Sequence, residues 1–86
     1  MVSGTQLRAA RALLGMSAAQ LAEVAGVGHR TVQRFEADEE IPDGRTAILL
    51  QIIRALEARG IVFLGDPLAS PGVQLQRTAR PNSKGK

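Results

Sequence analysis

The chain has 86 residues, enough for one small domain close to the lower limit of what folds without a staple. It has no cysteine, which excludes disulfides and thiolate metal sites, and its only aromatics are Phe35 and Phe63, which argues against base stacking as a binding mode. The net charge of +3 is uneven: residues 77–86 hold Arg77, Arg80, Lys84 and Lys86 with no acid, so residues 1–76 keep seven of the 11 basic residues against all eight acids, a balance of −1.

The N-terminus carries no apolar signal segment. The longest apolar run, 47–56, is interrupted by Gln51 and Arg54 and is too short for a membrane span. A cytoplasmic protein without membrane contact is expected, and the missing cysteines suit a reducing compartment.

In chain order, Ser3 is a candidate N-cap, and the spacing predicts a helix from Gly4 or Thr5 to Leu14, stopped by Gly15. Leu7, Ala10, Arg11 and Leu14 fall at i, i+3, i+4 and i+7, so Arg11 stands on the apolar stripe, where an unpaired guanidinium is costly. Glu36, next to the apolar Phe35, is its expected partner.

Ser17 and Gln20 form an S-x-x-Q capping box ahead of Leu21, Ala22 and Ala25, which predicts a short helix ending at Val24 or Ala25. Gly26 stops it at little steric cost, because glycine tolerates the left-handed conformation. A further helix is predicted over residues 28–36. Val32 and Phe35 point one way in it, whereas His29, Arg30, Gln33 and Arg34 point nearly the opposite way at 100° per residue. Two short helices joined by a glycine turn, the second presenting cations, an amide and an imidazole, describe a helix-turn-helix with a recognition helix.

Residues 37–44 read as a loop, with Asp38 suited to a left-handed position, Ile41 tucked beneath and Pro42 marking a break. Asp43 is the expected N-cap of a longer helix, 44–59, whose apolar face comprises Ile48, Leu49, Ile52, Ile53 and Leu56, with Gly60 ending it. That face is wider than a small unit needs, so part of it is expected to cover the C-terminal segment or a second subunit. Ile61–Leu64 and Val73–Gln76 read as two strands of a hairpin around an eight-residue loop, lying on the fourth helix, pairing with another chain, or both. The tail, 77–86, has the composition of a disordered basic segment.

Leu21-Ala22, Gly26, Val32, Phe35-Glu36 and the following Pro42 together resemble the lambda-repressor-like (XRE-type) helix-turn-helix regulators, over residues 5–59. The resemblance implies a structural ion pair between Arg11 and Glu36, positions that in the family commonly hold Arg and Glu. Two positions depart from the family's pattern. Gln is frequent at the second position of the first helix of the motif, where it touches a phosphate; here it is Ala18. The turn after the recognition helix is often basic; here it reads Ala37-Asp38-Glu39-Glu40.

The candidate base contacts are His29, Arg30, Gln33 and Arg34: Arg can fork to guanine O6 and N7, and Gln can do the same to adenine. His29 can instead touch a phosphate or face water. Candidate phosphate contacts are Ser17, Gln20, Thr31, Arg77 and Arg80. His29 is the only histidine and has no ligand-spaced partner, so no metal site is expected; nor is there a nucleophile elbow, a phosphate-cradling glycine loop or a calcium-loop pattern. No cofactor and no enzymatic activity are expected.

The expected architecture is therefore mainly α: a four-helix lambda-repressor-like domain over residues 1–60, a β-hairpin at 61–76 that serves dimerisation, and a basic tail at 77–86. The expected function is sequence-specific binding of double-stranded DNA, at a palindromic operator, as a homodimeric transcriptional repressor. The competing expectation is a protein-interaction module on the same scaffold, such as an antitoxin or an adaptor to the transcription machinery.

Overall fold

The computed structural model describes residues 2–37 and 46–77. Four helices, α1 (Gly4–Leu14), α2 (Ala18–Ala25), α3 (His29–Ala37) and α4 (Thr46–Glu57), are followed by an antiparallel hairpin of β1 (Ile61–Asp66) and β2 (Ser70–Leu75). The expectations for Asp38, Ile41, Pro42 and Asp43, for the first residues of the fourth helix and for residues 78–86 fall outside the described residues.

Both short helices start in the same way. Ser3 Oγ accepts from the Gln6 backbone N–H while Gln6 Oε1 accepts from Ser3 N, and Ser17 and Gln20 repeat the arrangement. Each box satisfies two backbone donors at a helix start that would otherwise lack partners. At the end of α2, Gly26 takes φ 72°, its N–H donating to Glu23 O, while Val27 N donates to Ala22 O. This Schellman-type closure reverses the chain within three residues, and Gly28 O then accepts from Thr31 N and Val32 N to open α3.

One core joins all the elements. Leu7 and Ala10 of α1, Leu21, Ala22 and Ala25 of α2, Val32 and Phe35 of α3, Leu49, Ile52, Ile53 and Leu56 of α4, and Ile61 of β1 are all buried. Gln51 Nε2 donates to Ala25 O at 3.2 Å, so α4 also holds the C-terminal end of α2.

The hairpin differs from its sequence reading in two respects. Its strands are longer and its loop shorter, because Asp66 pairs with Ser70 and only Pro67, Leu68 and Ala69 lie between them. Asp66 Oδ1 closes that turn by accepting from Leu68 N at 2.9 Å and Ala69 N at 2.8 Å, a local pattern that replaces the eight-residue loop. Gly65 (φ 73°) is required beside it, since a side chain there would run into the Ser70 carbonyl. Pro71 is accommodated in β2 opposite Gly65, the strand having an open edge in this two-stranded sheet.

The second difference is where the hairpin lies. The register places Ile61, Phe63, Val73 and Leu75 on one face, and that face packs on the core. The contact is with α4 through β1, one of the supports expected from sequence beside another chain, and also with α1 through β2, which that reading does not include. Gln6 explains the difference. Its Nε2 donates to Leu64 O at 3.0 Å and Gly72 O at 2.9 Å, the carbonyls of a register pair. With Oε1 engaged by Ser3 N, this buried amide is fully used. Ser3 was expected as a cap; nothing in a one-dimensional reading marked Gln6 as the residue that docks the hairpin.

Candidate nucleic-acid interface

The second helix of the motif is held from its buried side. Val32 and Phe35 anchor α3 in the core, and Glu36, also buried, faces α1. Arg11 Nε donates to Glu36 Oε2 and Arg11 Nη2 to Glu36 Oε1, both at 2.9 Å, while Arg11 Nη1 donates to Met16 O at 3.0 Å. One guanidinium thus joins α1, the link into α2, and α3. The Glu36 carboxylate raises the Arg11 pKa, through its hydrogen bonds first and its charge second, against an opposing effect of burial. The carbonyl of the same Glu36 accepts from Arg8 Nη1, and Arg8 Nη2 donates to Thr5 Oγ1 at 3.3 Å. Arg8 was not among the sequence candidates, because on a helical projection it is simply an exposed basic residue one step past Leu7.

With the buried side fixed, the opposite side of α3 is set by helix geometry alone. His29, Arg30, Gln33 and Arg34 are all exposed, and no acid lies among them. The helix spans nine residues, about 13 Å at the standard rise, comparable to the ~12 Å width of a B-DNA major groove. The row therefore offers two planar guanidinium forks and one amide fork on a rigid rod.

The proposed phosphate contacts are placed unevenly. Ser17 and Gln20 are exposed at the start of α2, but Ser17 Oγ and Gln20 Oε1 already serve the capping box, which leaves the Ser17 hydroxyl proton and the Gln20 amide N–H groups as donors. Thr31 is half-buried at the start of α3. Arg77 is exposed just after β2, and Arg80 falls outside the described residues.

A family model described as helix-turn-helix matches residues 7–53, from the core-facing Leu7 of α1 to Ile53 of α4. The chain is a lambda-repressor-like (XRE-type) helix-turn-helix protein. No curated protein matches the chain. The matched span contains the capping box of α2, the Gly26 turn, the exposed row of α3 and the Arg11–Glu36 bridge, and it ends before the hairpin. As a member of this family the chain is a DNA-binding regulator. No helix among the described residues is long and apolar enough to cross a membrane.

Proposed function

We propose that this helix-turn-helix protein is a cytoplasmic repressor that binds a palindromic operator as a homodimer, with α3 in the major groove. The observation that carries the reading is the acid-free row His29, Arg30, Gln33 and Arg34, exposed together on a helix whose other side is pinned by Phe35 and by the Glu36–Arg11 bridge. Arg30 and Arg34 fork to guanine and Gln33 to adenine, while His29 touches a base or a phosphate at the groove edge. Ser17, Gln20, Thr31 and the basic residues Arg77 and Arg80 anchor the backbone and set the register. With residues 1–76 at −1, the salt-dependent part of the affinity rests on where cations stand rather than on total charge.

Dimerisation is supported by apolar side chains left exposed outside the matched span or at its margin: Leu50 on α4, Leu64 on β1 and Leu68 in the turn, at 40%, 43% and 56% exposure. Two recognition helices about 34 Å apart would read successive major grooves of a two-fold site. The same exposed leucines, with the acidic balance of the body, favour a protein-interaction module as the second reading. Selection of the purified chain against a random duplex library tests both. A palindromic consensus is the expected result; no retained duplex even at low salt, with a co-purifying protein, would transfer the function to the second reading.

A further inference from the structure

An open depression of about 260 Å³ lies where α1, the start of α2 and the end of α3 meet, lined by Arg8, Arg11, Ala18, Gln33, Glu36 and Ala37. Its charges are not equivalent. Arg11 and Glu36 neutralise each other through their paired 2.9 Å bonds. Arg8 is oriented by two bonds as well, but both of its described bonds end on neutral oxygens, the Glu36 carbonyl and the Thr5 hydroxyl. A guanidinium has five N–H donors, so donors remain for a further acceptor, and the side chain is exposed. Gln33, part of the exposed row of α3, forms another part of the wall, and the small Ala18 side chain keeps the depression open.

We propose that Arg8 anchors a DNA backbone phosphate at the mouth of this depression. The inference rests on the reading of α3 as the helix that enters the major groove. A cation already oriented by two bonds loses little freedom on meeting the anion, and the planar guanidinium matches phosphate oxygens two at a time. Standing on α1 beside Gln33, Arg8 meets the sugar-phosphate backbone that borders the groove and not the base edges. Its contact is therefore independent of sequence, and it fixes how deeply Gln33 is presented.

The competing role is purely structural: Arg8 as a cap on the C-terminal carbonyl of α3. Full-length parent, Arg8→Gln and Arg8→Lys proteins, titrated with a mixed-sequence duplex over a salt series and melted without DNA, separate the two. Lysine keeps the positive charge but lacks the planar fork that reaches both the Glu36 carbonyl and the Thr5 hydroxyl. Arg8→Gln is expected to lower the slope of log K against log salt by about 0.9, the value of one phosphate contact, and Arg8→Lys to keep the parent's slope. The Arg8 Nε–H resonance of the parent, followed as the same duplex is added, needs no variant and is expected to shift. Parent-like slopes in both variants with an unmoved Arg8 resonance overturn the proposal and leave DNA binding by α3 standing. A parent protein that binds no duplex overturns the DNA reading itself, and the Arg8 contact with it.

Discussion

Arg11 and Glu36 meet edge to edge across 25 residues of sequence, two N–H donors of one guanidinium each 2.9 Å from a separate oxygen of one carboxylate. The side chains are 24% and 6% exposed, so the acid is the buried partner and the base its cover. This contact sets the angle of α3 against α1 and thereby the direction in which Arg30 and Arg34 project. Removing one member of a buried pair typically costs ~3–5 kcal/mol, and the partial exposure of Arg11 places this pair toward the lower end. Glu36→Ala is expected to lower the melting temperature steeply; a value within error of the parent's would contradict a structural role for the bridge.

Gln6 gives the second prediction. Replacing it with Ala leaves the Leu64 and Gly72 carbonyls without its two donors, a loss of about 1–3 kcal/mol. Gln6→Glu is expected to be worse at neutral pH, because a carboxylate accepts only and would face both carbonyls. Amide exchange should show the strands opening before α2 and α3. Equal protection of the hairpin in parent and Gln6→Ala would remove this docking role.

Asp66 makes the turn sensitive to acid. The Ala69 and Leu68 N–H groups, in that order, hold its carboxyl below the usual Asp range. A carboxylate with a depressed folded pKa contributes stability above its unfolded pKa and loses it as pH falls through the folded one. The turn is therefore expected to loosen only below the normal Asp titration range, and Asp66→Asn, which can still accept both bonds, to lose that dependence. Amide shifts of Leu68 and Ala69 followed against pH check this. Identical pH profiles in the two proteins would count against it.

Reading and anchoring by the proposed DNA surface are expected to separate by mutation. Arg30→Ala and Arg34→Ala should each lose roughly 1–3 kcal/mol on the selected duplex and relax preference at particular base pairs. Deleting residues 78–86 removes Arg80, Lys84 and Lys86, and should weaken selected and scrambled duplexes alike while reducing the salt slope by ~0.9 per lost phosphate contact. If the arginine variants weaken both duplexes equally, α3 is not the reader.

The homodimer is best tested on the surface. Truncation after Gly60 would remove Ile61, which is 2% exposed in the core, and confound folding with association. Leu64→Ser with Leu68→Ser alters exposed side chains instead. Sedimentation is expected to show a dimer for the parent at tens of micromolar, where a Kd of about 10⁻⁵ M gives appreciable association, and a monomer for the double variant. A parent that sediments as a monomer removes the proposed dimer.

Much of this architecture was legible in one dimension, since the signals concerned are local. Capping at Ser3 and Ser17, arrest at Gly15 and Gly26, and the opposition of Val32 and Phe35 to Arg30 and Arg34 each depend on residues within one or two helical turns. Even the Arg11–Glu36 pair was accessible, because a charge on an apolar stripe must find a partner. The hairpin was legible as two strands but not in its position or turn length. Those depended on Asp66 accepting two N–H groups and on Gln6 reaching carbonyls 58 and 66 residues away. Arg8 shows the same limit: Thr5 is a neighbour on its own helix, but the Glu36 carbonyl, 28 residues away, reaches it only when α1 crosses the end of α3. Sequence by itself determined which side chains cap, stop and face inward, because backbone geometry imposes those periods locally. Only the tertiary structure decided which polar groups meet across the chain, because a hydrogen bond depends on angstrom-scale placement that periodicity does not encode.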